Sequence, residues 1–280
     1  MSQCLIDAPA KINSWLEILG RDHAGYHLLE TIFITLDLAD TLAIERVSSG
    51  VKLALEDAPA DCPTGPENLV VRAANAWLAA SQGDFGVHIT LTKRIPSGAG
   101  LGGGSSDAAA VLRALQLLSD NPLPPEILHQ IAANLGSDVP FFLLGGCAHA
   151  TGRGEVLTPL EDPDPQPLTL IDSGIHCATP AIFAELTEAE RGPRPALGPA
   201  QWAERLARGP DQHCYNRLAA PACRLHPGLA ECLEWCASTG RPSHLSGSGG
   251  VCVVWGHVEV PNWRHWHSWT RPRTRLNGQA

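Results

Sequence analysis

The sequence predicts an α+β fold in two domains, and three observations predict it. Segments of alternating apolar and polar residues crowd the first half, as half-buried strands do. Segments with a helical stripe are interleaved with them, as in Glu67-Asn-Leu-Val-Val-Arg-Ala-Ala-Asn-Ala-Trp-Leu78. An alternating strand, a glycine-rich loop and an abrupt helix start then follow one another between Val87 and Leu118. With 280 residues, the chain has ample length for a core in each domain. The proline-rich, acidic stretch Leu160-Glu-Asp-Pro-Asp-Pro-Gln-Pro167 is the natural boundary, giving domains over 1–158 and 159–280.

Taken in order, Ile12, Leu16 and Ile18 share one face of the first strand, and Ile32, Ile34, Leu36 and Leu38 one face of the second. Asp40-Thr-Leu-Ala-Ile-Glu45 continues the extended pattern. In the first helix, Val70, Ala73, Ala74, Trp77 and Leu78 form the buried stripe. Val87-His-Ile-Thr-Leu-Thr-Lys93 alternates as a strand, and Ala108 to Leu118 reads as a helix that Ser105, Ser106 and Asp107 would cap. Pro124 to Asn134 starts on proline and stops before Gly136, as a helix would. Beyond the boundary come the short strand Leu168-Thr-Leu-Ile171, mostly helical segments, and the apolar strand Val251-Cys-Val-Val-Trp255. Trp263, Trp266 and Trp269 recur at three-residue spacing, which predicts a helix face docked on the body or an oligomer contact.

The loop Pro96-Ser-Gly-Ala-Gly-Leu-Gly-Gly-Gly-Ser-Ser-Asp107 carries the most information. Five glycines fall within seven residues, so the backbone can take left-handed conformations and pass close to a ligand. Backbone N–H groups and a helix N-terminus converge there, which suits a phosphate better than a plain linker, since a linker needs no helix start after it. The P-loop pattern fails for want of a Gly-Lys-Ser/Thr ending. A dinucleotide fingerprint is formally present at Gly98, Gly100 and Gly103, with Asp120 downstream. Asp120, however, ends a helix rather than a second strand, and the loop lies a third of the way into the chain.

The segment instead resembles the phosphate-binding motif of the GHMP kinases (galactokinase, homoserine, mevalonate and phosphomevalonate kinases). Two further motifs of that family have counterparts in the right order: Ala8-Pro-Ala-Lys-Ile-Asn13 and Leu245-Ser-Gly-Ser-Gly-Gly250. Leu19-Gly-Arg21, Gly25-Tyr-His27, Leu135-Gly-Ser-Asp-Val-Pro-Phe-Phe142 and Thr179-Pro-Ala-Ile-Phe183 narrow the resemblance to members whose acceptor is a cytidine-diphosphate-linked methylerythritol. The resemblance implies a GHMP-kinase-like fold with the active site in the interdomain cleft. It also implies transfer of the γ-phosphoryl of ATP, with Mg²⁺, to a tertiary 2-hydroxyl on the non-mevalonate route to isoprenoid precursors.

By the same resemblance, Pro96, Ser97, Gly98, Ala99, Gly100, Leu101, Gly102, Gly103, Gly104, Ser105 and Ser106 hold the nucleotide phosphates. The two serine hydroxyls are available to a phosphate or to the metal, and neither is singled out. Lys11 and Asp138 match the catalytic pair, the aspartate as general base and the lysine favouring its ionised form. Read without the family, Asp138 is a cap or turn aspartate and Lys11 a solvated edge charge. Asn13, Tyr26, His27, Thr179, Pro180 and Phe183 match the substrate site, where the Tyr26 and Phe183 rings can sandwich a cytosine while His27 bonds its polar edge. Read alone, Phe183 is a core aromatic on a helix. Departures from the family pattern are Ala24 before Gly-Tyr-His, Ala99 among the loop glycines, and Gly250 closing the third motif. Another GHMP kinase acting on a different alcohol is one alternative; a nucleotide-binding regulatory protein without catalysis is the other. The cytosine-site elements count against the first, and Lys11 with Asp138 against the second.

Composition agrees with a cytoplasmic small-molecule enzyme. A formal net charge of −9 argues against nucleic acid, since neutralising its phosphates needs a basic surface. The longest apolar run is too short to span a membrane, and the first residues carry no secretion signal. Nine scattered cysteines, an odd number without a C-x-x-C pair, indicate a reducing compartment. Cys232 and Cys236 would share a helix face near Cys223 and His226; buried core cysteines fit that spacing better than a common zinc module. The oligomeric state is not encoded in any of these features.

Overall fold

The computed structural model describes residues 2–59, 62–82, 85–191, 201–202, 204–205, 208–210 and 214–273. Packing divides the chain into two compact units that alternate along the sequence. The first comprises Met1–Ala10, Leu38–Ser97 and Gly102–Leu144; the second Lys11–Asp37, Gly98–Leu101 and Gly145–Ala280. Two long strands, β1 (Gln3–Arg21) and β2 (His27–Val47), supply residues to both.

In the first unit the end of β2 pairs antiparallel with β4 (Gly86–Thr92), from Thr41↔Thr92 to Val47↔Gly86, and β3 (Val51–Glu56) pairs parallel with β4. A Cβ at Gly86 would lie 2.2 Å from the Gly50 carbonyl oxygen, so the strand start tolerates no side chain there. Four helices cover this unit's core. The first, α1 (Leu69–Ser81), is capped by the Asn68 side chain, which accepts from Val70 N–H, and it buries Val70, Val71, Ala73, Ala74 and Trp77. Trp77 is wholly buried, and its indole N–H donates to Gln116 Oε1 at 2.9 Å on α2 (Gly103–Leu118). The run Ala108 to Leu112 on α2 is also buried, its three alanines allowing close packing. After it come α3 (Pro125–Leu135), with proline in its first turn, and the short α4 (Val139–Leu144).

The start of α2 differs from the sequence reading. The helix begins at Gly103, so Ser105 and Ser106 lie within its first turn and Asp107 just beyond it, none of them at the cap. Gly102, at φ 73°, takes the cap position, and its carbonyl accepts the Ser106 N–H at 2.9 Å. A left-handed glycine closes the loop directly into the helix, so no side-chain cap is used.

The second unit contains more sheet than the sequence pattern predicts. Strands β5 (Cys147–Thr151) and β6 (Val156–Pro159) form an antiparallel pair that joins β2 through Thr31↔Ala150 to Ile34↔Cys147, and β8 (Tyr215–Asn216) runs parallel to β1 at Trp15. A separate four-stranded antiparallel sheet has the order β11–β7–β10–β9, formed by Arg264–Trp269, Pro167–Asp172, Val251–Trp255 and Ser243–Leu245 respectively. The helices of this unit include α5 (Thr179–Ala184), α6 (Ala219–Leu225) and α7 (Pro227–Ser238). Leu16, Ile18, Ile171, Ile182, Leu229, Leu245 and Val254 centre its core.

The tryptophan-rich tail is therefore an edge strand, not a helix. Trp266 pairs with Leu170 and Trp269 with Pro167, while Trp263 packs its ring 5.6 Å from that of Trp235 on α7. Aromatic and β-branched residues suit a pleated, half-buried surface, and that preference outweighs the helical spacing.

Candidate active site

In the glycine loop, Gly98, Gly100 and Gly102 have φ of 68°, 77° and 73°, and Ala99 stands where no positive φ is needed. The segment Gly98–Leu101 is held by three neighbours within its own unit. Lys11 N–H donates to the Leu101 carbonyl at 2.9 Å, and Ser246 Oγ donates to the Gly100 carbonyl at 3.2 Å. The third contact is steric: a Cβ on Gly249 would lie 2.0 Å from the Ala99 carbonyl carbon and 2.1 Å from Gly100 N. The third motif thus supports the second by backbone against backbone. Asn216 in turn pins the third motif, its Nδ2 donating to the carbonyls of Leu245 (2.8 Å) and Gly247 (2.6 Å). The exposed His176 imidazole covers Gly98, where a Cβ would lie 2.6 Å from its Nδ1.

Past the loop, the first N–H groups of α2 have no partner within the helix, an arrangement that favours an anion. Ser106 is buried and donates its hydroxyl to the Pro9 carbonyl at 2.7 Å, whereas Ser105 is half-exposed. A buried charge network fixes the approach to the loop in the first unit. Lys93 Nζ bonds Asp40 Oδ2 at 2.5 Å and Asp107 Oδ2 at 2.8 Å, and Asp40 Oδ1 accepts the N–H groups of Arg94 and Ile95. Burial pushes the Asp107 carboxyl up to about 7, with Lys93 opposing and Asp40 reinforcing the rise. Burial also weighs on Lys93, but its two aspartates more than offset this and raise it.

Lys11 is 4% exposed, donates to Asn13 Oδ1 at 2.7 Å, and lies 5.0 Å from the centre of the Phe33 ring. Asn13 Nδ2 donates to Thr31 Oγ1 at 2.8 Å, and Thr31 Oγ1 donates on to the Trp15 carbonyl. Lys11 is therefore a buried cation on a fixed chain of polar partners, not a solvated edge charge. Asp138 belongs to the first unit, half-buried in the turn after Gly136 and directly before α4.

The expected substrate residues group in part. His27 and Phe183 have ring centroids 4.8 Å apart at 32°. Burial lowers the His27 pKa, and the Arg21 and Arg191 charges add to this, so its ring is neutral at physiological pH. Tyr26 is half-exposed and carries the Arg153 guanidinium 3.7 Å over its ring. Arg153 also bonds Asp22, whose Oδ1 accepts the N–H groups of Ala24 and Tyr26, so the turn at Gly25 forms without an acidic residue at position 24. Thr179 and Pro180 start α5, and Thr179 Oγ1 meets Ser248 Oγ at 2.6 Å, which joins the helix bearing Phe183 to the third motif.

Sequence reasoning missed His176, Ser248, Asn216, Arg153 and the Lys93 network. Ser248 lay inside a recognised motif and could have been read from it. The others act through partners remote in sequence and leave no local signal.

Comparison with known proteins places this geometry in a family. A model of the GHMP kinases N terminal domain matches residues 68–146. The 4-diphosphocytidyl-2-C-methyl-D-erythritol kinase of Thermus thermophilus is 45% identical over 257 residues, covering 91% of this chain and 88% of that protein. The enzyme of the same name from Deinococcus radiodurans is 41% identical over 253 residues, covering 89% and 83%. A crystal structure of 4-(cytidine 5'-diphospho)-2C-methyl-D-erythritol kinase superposes with a TM-score of 0.82 at 39% identity, covering 96% of this chain and all of that one. A homoserine kinase from Cytophaga hutchinsonii shares the fold at 18% identity, with a TM-score of 0.71.

Proposed function

The chain belongs to the 4-diphosphocytidyl-2-C-methyl-D-erythritol kinases of the GHMP family, and we propose that it transfers the γ-phosphoryl of ATP to the 2-hydroxyl of 4-diphosphocytidyl-2-C-methyl-D-erythritol. The products are the 2-phosphate and ADP, on the non-mevalonate route to isoprenoid precursors. One observation carries the reading. The aromatic pair His27–Phe183 is tied through Thr179 and Ser248 to the same glycine turn that supports the phosphate loop.

Phosphoryl transfer depends mainly on positioning and charge, so the task of the loop Pro96–Ser106 is to hold the nucleotide phosphates on its backbone N–H donors, which begin at Ser97. Magnesium takes oxygen donors and keeps most of its ligands as phosphate and water. The half-exposed Ser105 hydroxyl fits that need, and Ser106, whose hydroxyl proton goes to the Pro9 carbonyl, keeps its oxygen lone pairs for the same purpose. When bound, the ion offsets charge on the phosphates. Asp138 accepts the proton of the attacking hydroxyl, a role worth about 10²- to 10⁴-fold in rate. Lys11, held by Asn13, polarises the acceptor hydroxyl. Phe183 and His27 take the cytosine, with Tyr26 next to His27 in sequence. All nine cysteines are free thiols, in keeping with a reducing cytoplasm, and no described helix is long and apolar enough to cross a membrane.

The test is ADP release with Mg²⁺-ATP and 4-diphosphocytidyl-2-C-methyl-D-erythritol, mevalonate, homoserine or no acceptor. Turnover with the cytidine compound alone supports the proposal; turnover only with another alcohol overturns the substrate assignment. Asp138→Asn should bind ATP nearly as the parent does while losing most turnover. Parent-like turnover in that variant would remove Asp138 from the mechanism.

A further inference from the structure

Three sulfur atoms meet in the core of the second unit. Those of Cys232 and Cys236 on α7 and Cys252 on β10 all lie within 4.8 Å of one another, and all three residues are wholly buried. A spacing of four residues places Cys232 and Cys236 on one face of the helix. The pleat of β10 sends Cys252 and Val254 into the same apolar cluster as α7, next to Leu245 of β9. Leu229, Ile171 and Ile182 belong to the same cluster. Cys223 and His226, which sequence spacing groups with Cys232 and Cys236, are not members of the set; among the described residues, no other His, Cys, Asp or Glu joins it.

We infer that Cys232, Cys236 and Cys252 form a three-coordinate site for a soft, thiophilic metal ion of the copper(I) class. Donor type and donor number decide the class. Three sulfurs without an oxygen or nitrogen exclude hard cations such as magnesium and calcium, which take oxygen ligands. Structural zinc sites close with four protein donors, whereas this set has three among the described residues, and Cys177, a further thiol of the same apolar cluster, lies outside it. Copper(I) is the first-row ion that thiolates select and that needs no fourth ligand. Metal–sulfur bonds of about 2.3 Å put three sulfurs of a planar site about 4 Å apart. The present spacing needs only a slight closure to reach that, within the freedom of cysteine side chains.

On binding, the S–H bonds of the coordinating thiols break, sulfur–metal bonds form, and the released protons pass to water. The ion enters and stays in the +1 state, so no electron is exchanged. Its structural effect follows from position. Cys252 lies two residues beyond Gly250, so an ion shared with Cys232 and Cys236 ties α7 to the strand that leaves the third glycine motif.

The test is an anaerobic titration of the reduced full-length protein with copper(I), competed by a chromophoric copper(I) chelator. One ion per chain, an X-ray absorption spectrum fitted by three sulfurs at about 2.3 Å, and a raised thermal midpoint are expected. Cys252→Ser should abolish uptake; Cys232→Ala and Cys236→Ala, checked for folding by circular dichroism, should do the same. A variant with Cys4, Cys62 and Cys214, three partly exposed thiols, changed to serine should retain it. Zinc(II) should compete at least tenfold less well. The inference is overturned by no uptake against the chelator, by uptake that survives loss of any of the three sulfurs, or by a spectrum that requires a fourth donor.

Discussion

Gly249→Ala tests how the third motif holds the phosphate loop. The added Cβ would stand 2.0 Å from the Ala99 carbonyl carbon, 2.1 Å from Gly100 N and 2.3 Å from the Ala99 oxygen. Carbon atoms in contact normally sit about 3.5–4.0 Å apart, so the loop backbone must retreat by about 1.5 Å. No rotamer change can relieve the clash, because every obstructing atom is main chain. That retreat would also stretch the Ser246 hydroxyl bond to the Gly100 carbonyl beyond its 3.2 Å. A displacement of about 1 Å at a positioning group costs about 10²-fold in rate, so kcat/KM for ATP should fall about 10²-fold, equivalent to about 2.7 kcal/mol. Overpacking should lower stability by about 1–3 kcal/mol. The assay is steady-state ADP release over a range of ATP concentrations, with the thermal midpoint measured alongside. Gly240→Ala is the control: φ there is 69° with nothing within 4 Å of the new Cβ, so it costs stability through backbone strain alone and leaves ATP kinetics unchanged. A folded Gly249→Ala enzyme with kcat/KM for ATP within about threefold of the parent would refute the argument that backbone contact positions the loop.

Three other outcomes are expected. Phe183→Ala should raise KM for the cytidine acceptor by about 5- to 150-fold, the value of one stacked base, without changing KM for ATP; an unchanged acceptor KM would remove Phe183 from the base site. His244 is buried, which lowers its pKa to about 4, with the Asn13 backbone opposing the shift. Below pH 6.5 the unfolded chain therefore binds a proton that the folded chain refuses, and stability falls as pH drops from about 6.5 to 4, by roughly 3 kcal/mol from this residue. In urea unfolding at a series of pH values, His244→Leu should remove that part of the slope, and a slope identical to the parent would refute the assignment. Arg217 bonds Glu17 through two nitrogens at 2.6 and 3.0 Å, and Glu17 is wholly buried. Arg217→Met should cost about 3–5 kcal/mol by removing the two-nitrogen counter-charge of that buried carboxylate, and adding Glu17→Leu should recover most of the loss; a double variant no more stable than the single one would count against the ion-pair account.

The glycine loop was legible because its chemistry is local: the φ angles that the glycines permit and the helix that follows are properties of a dozen consecutive residues. Its supports were not. Lys93 reaches Asp40 across 53 positions and Asp107 across 14, and nothing in an alternating strand marks which lysine will turn inward. The helix start was placed too late because serine and aspartate favour caps, whereas a left-handed Gly102 made a cap unnecessary. Strand β11 was misread because a spacing of three fits a helix, and its pairing with β7, almost a hundred residues earlier, outweighs that local preference. Cys252 was missed as the companion of Cys232 and Cys236 for the same reason, since strand pleating and not sequence spacing brings it to α7.

The two packing units pass the chain back and forth at residues 10/11, 37/38, 97/98, 101/102 and 144/145. No uninterrupted stretch of the gene therefore encodes either unit alone. A truncation after Leu144 would retain all of the first unit's chain but also strand Lys11–Asp37 without the β5 partner that it pairs with. Swapping halves between related enzymes at a single crossover would likewise give each product one hybrid core. Recombination should be tolerated only where several crossovers move together, so the chain is inherited, expressed and engineered as one indivisible piece.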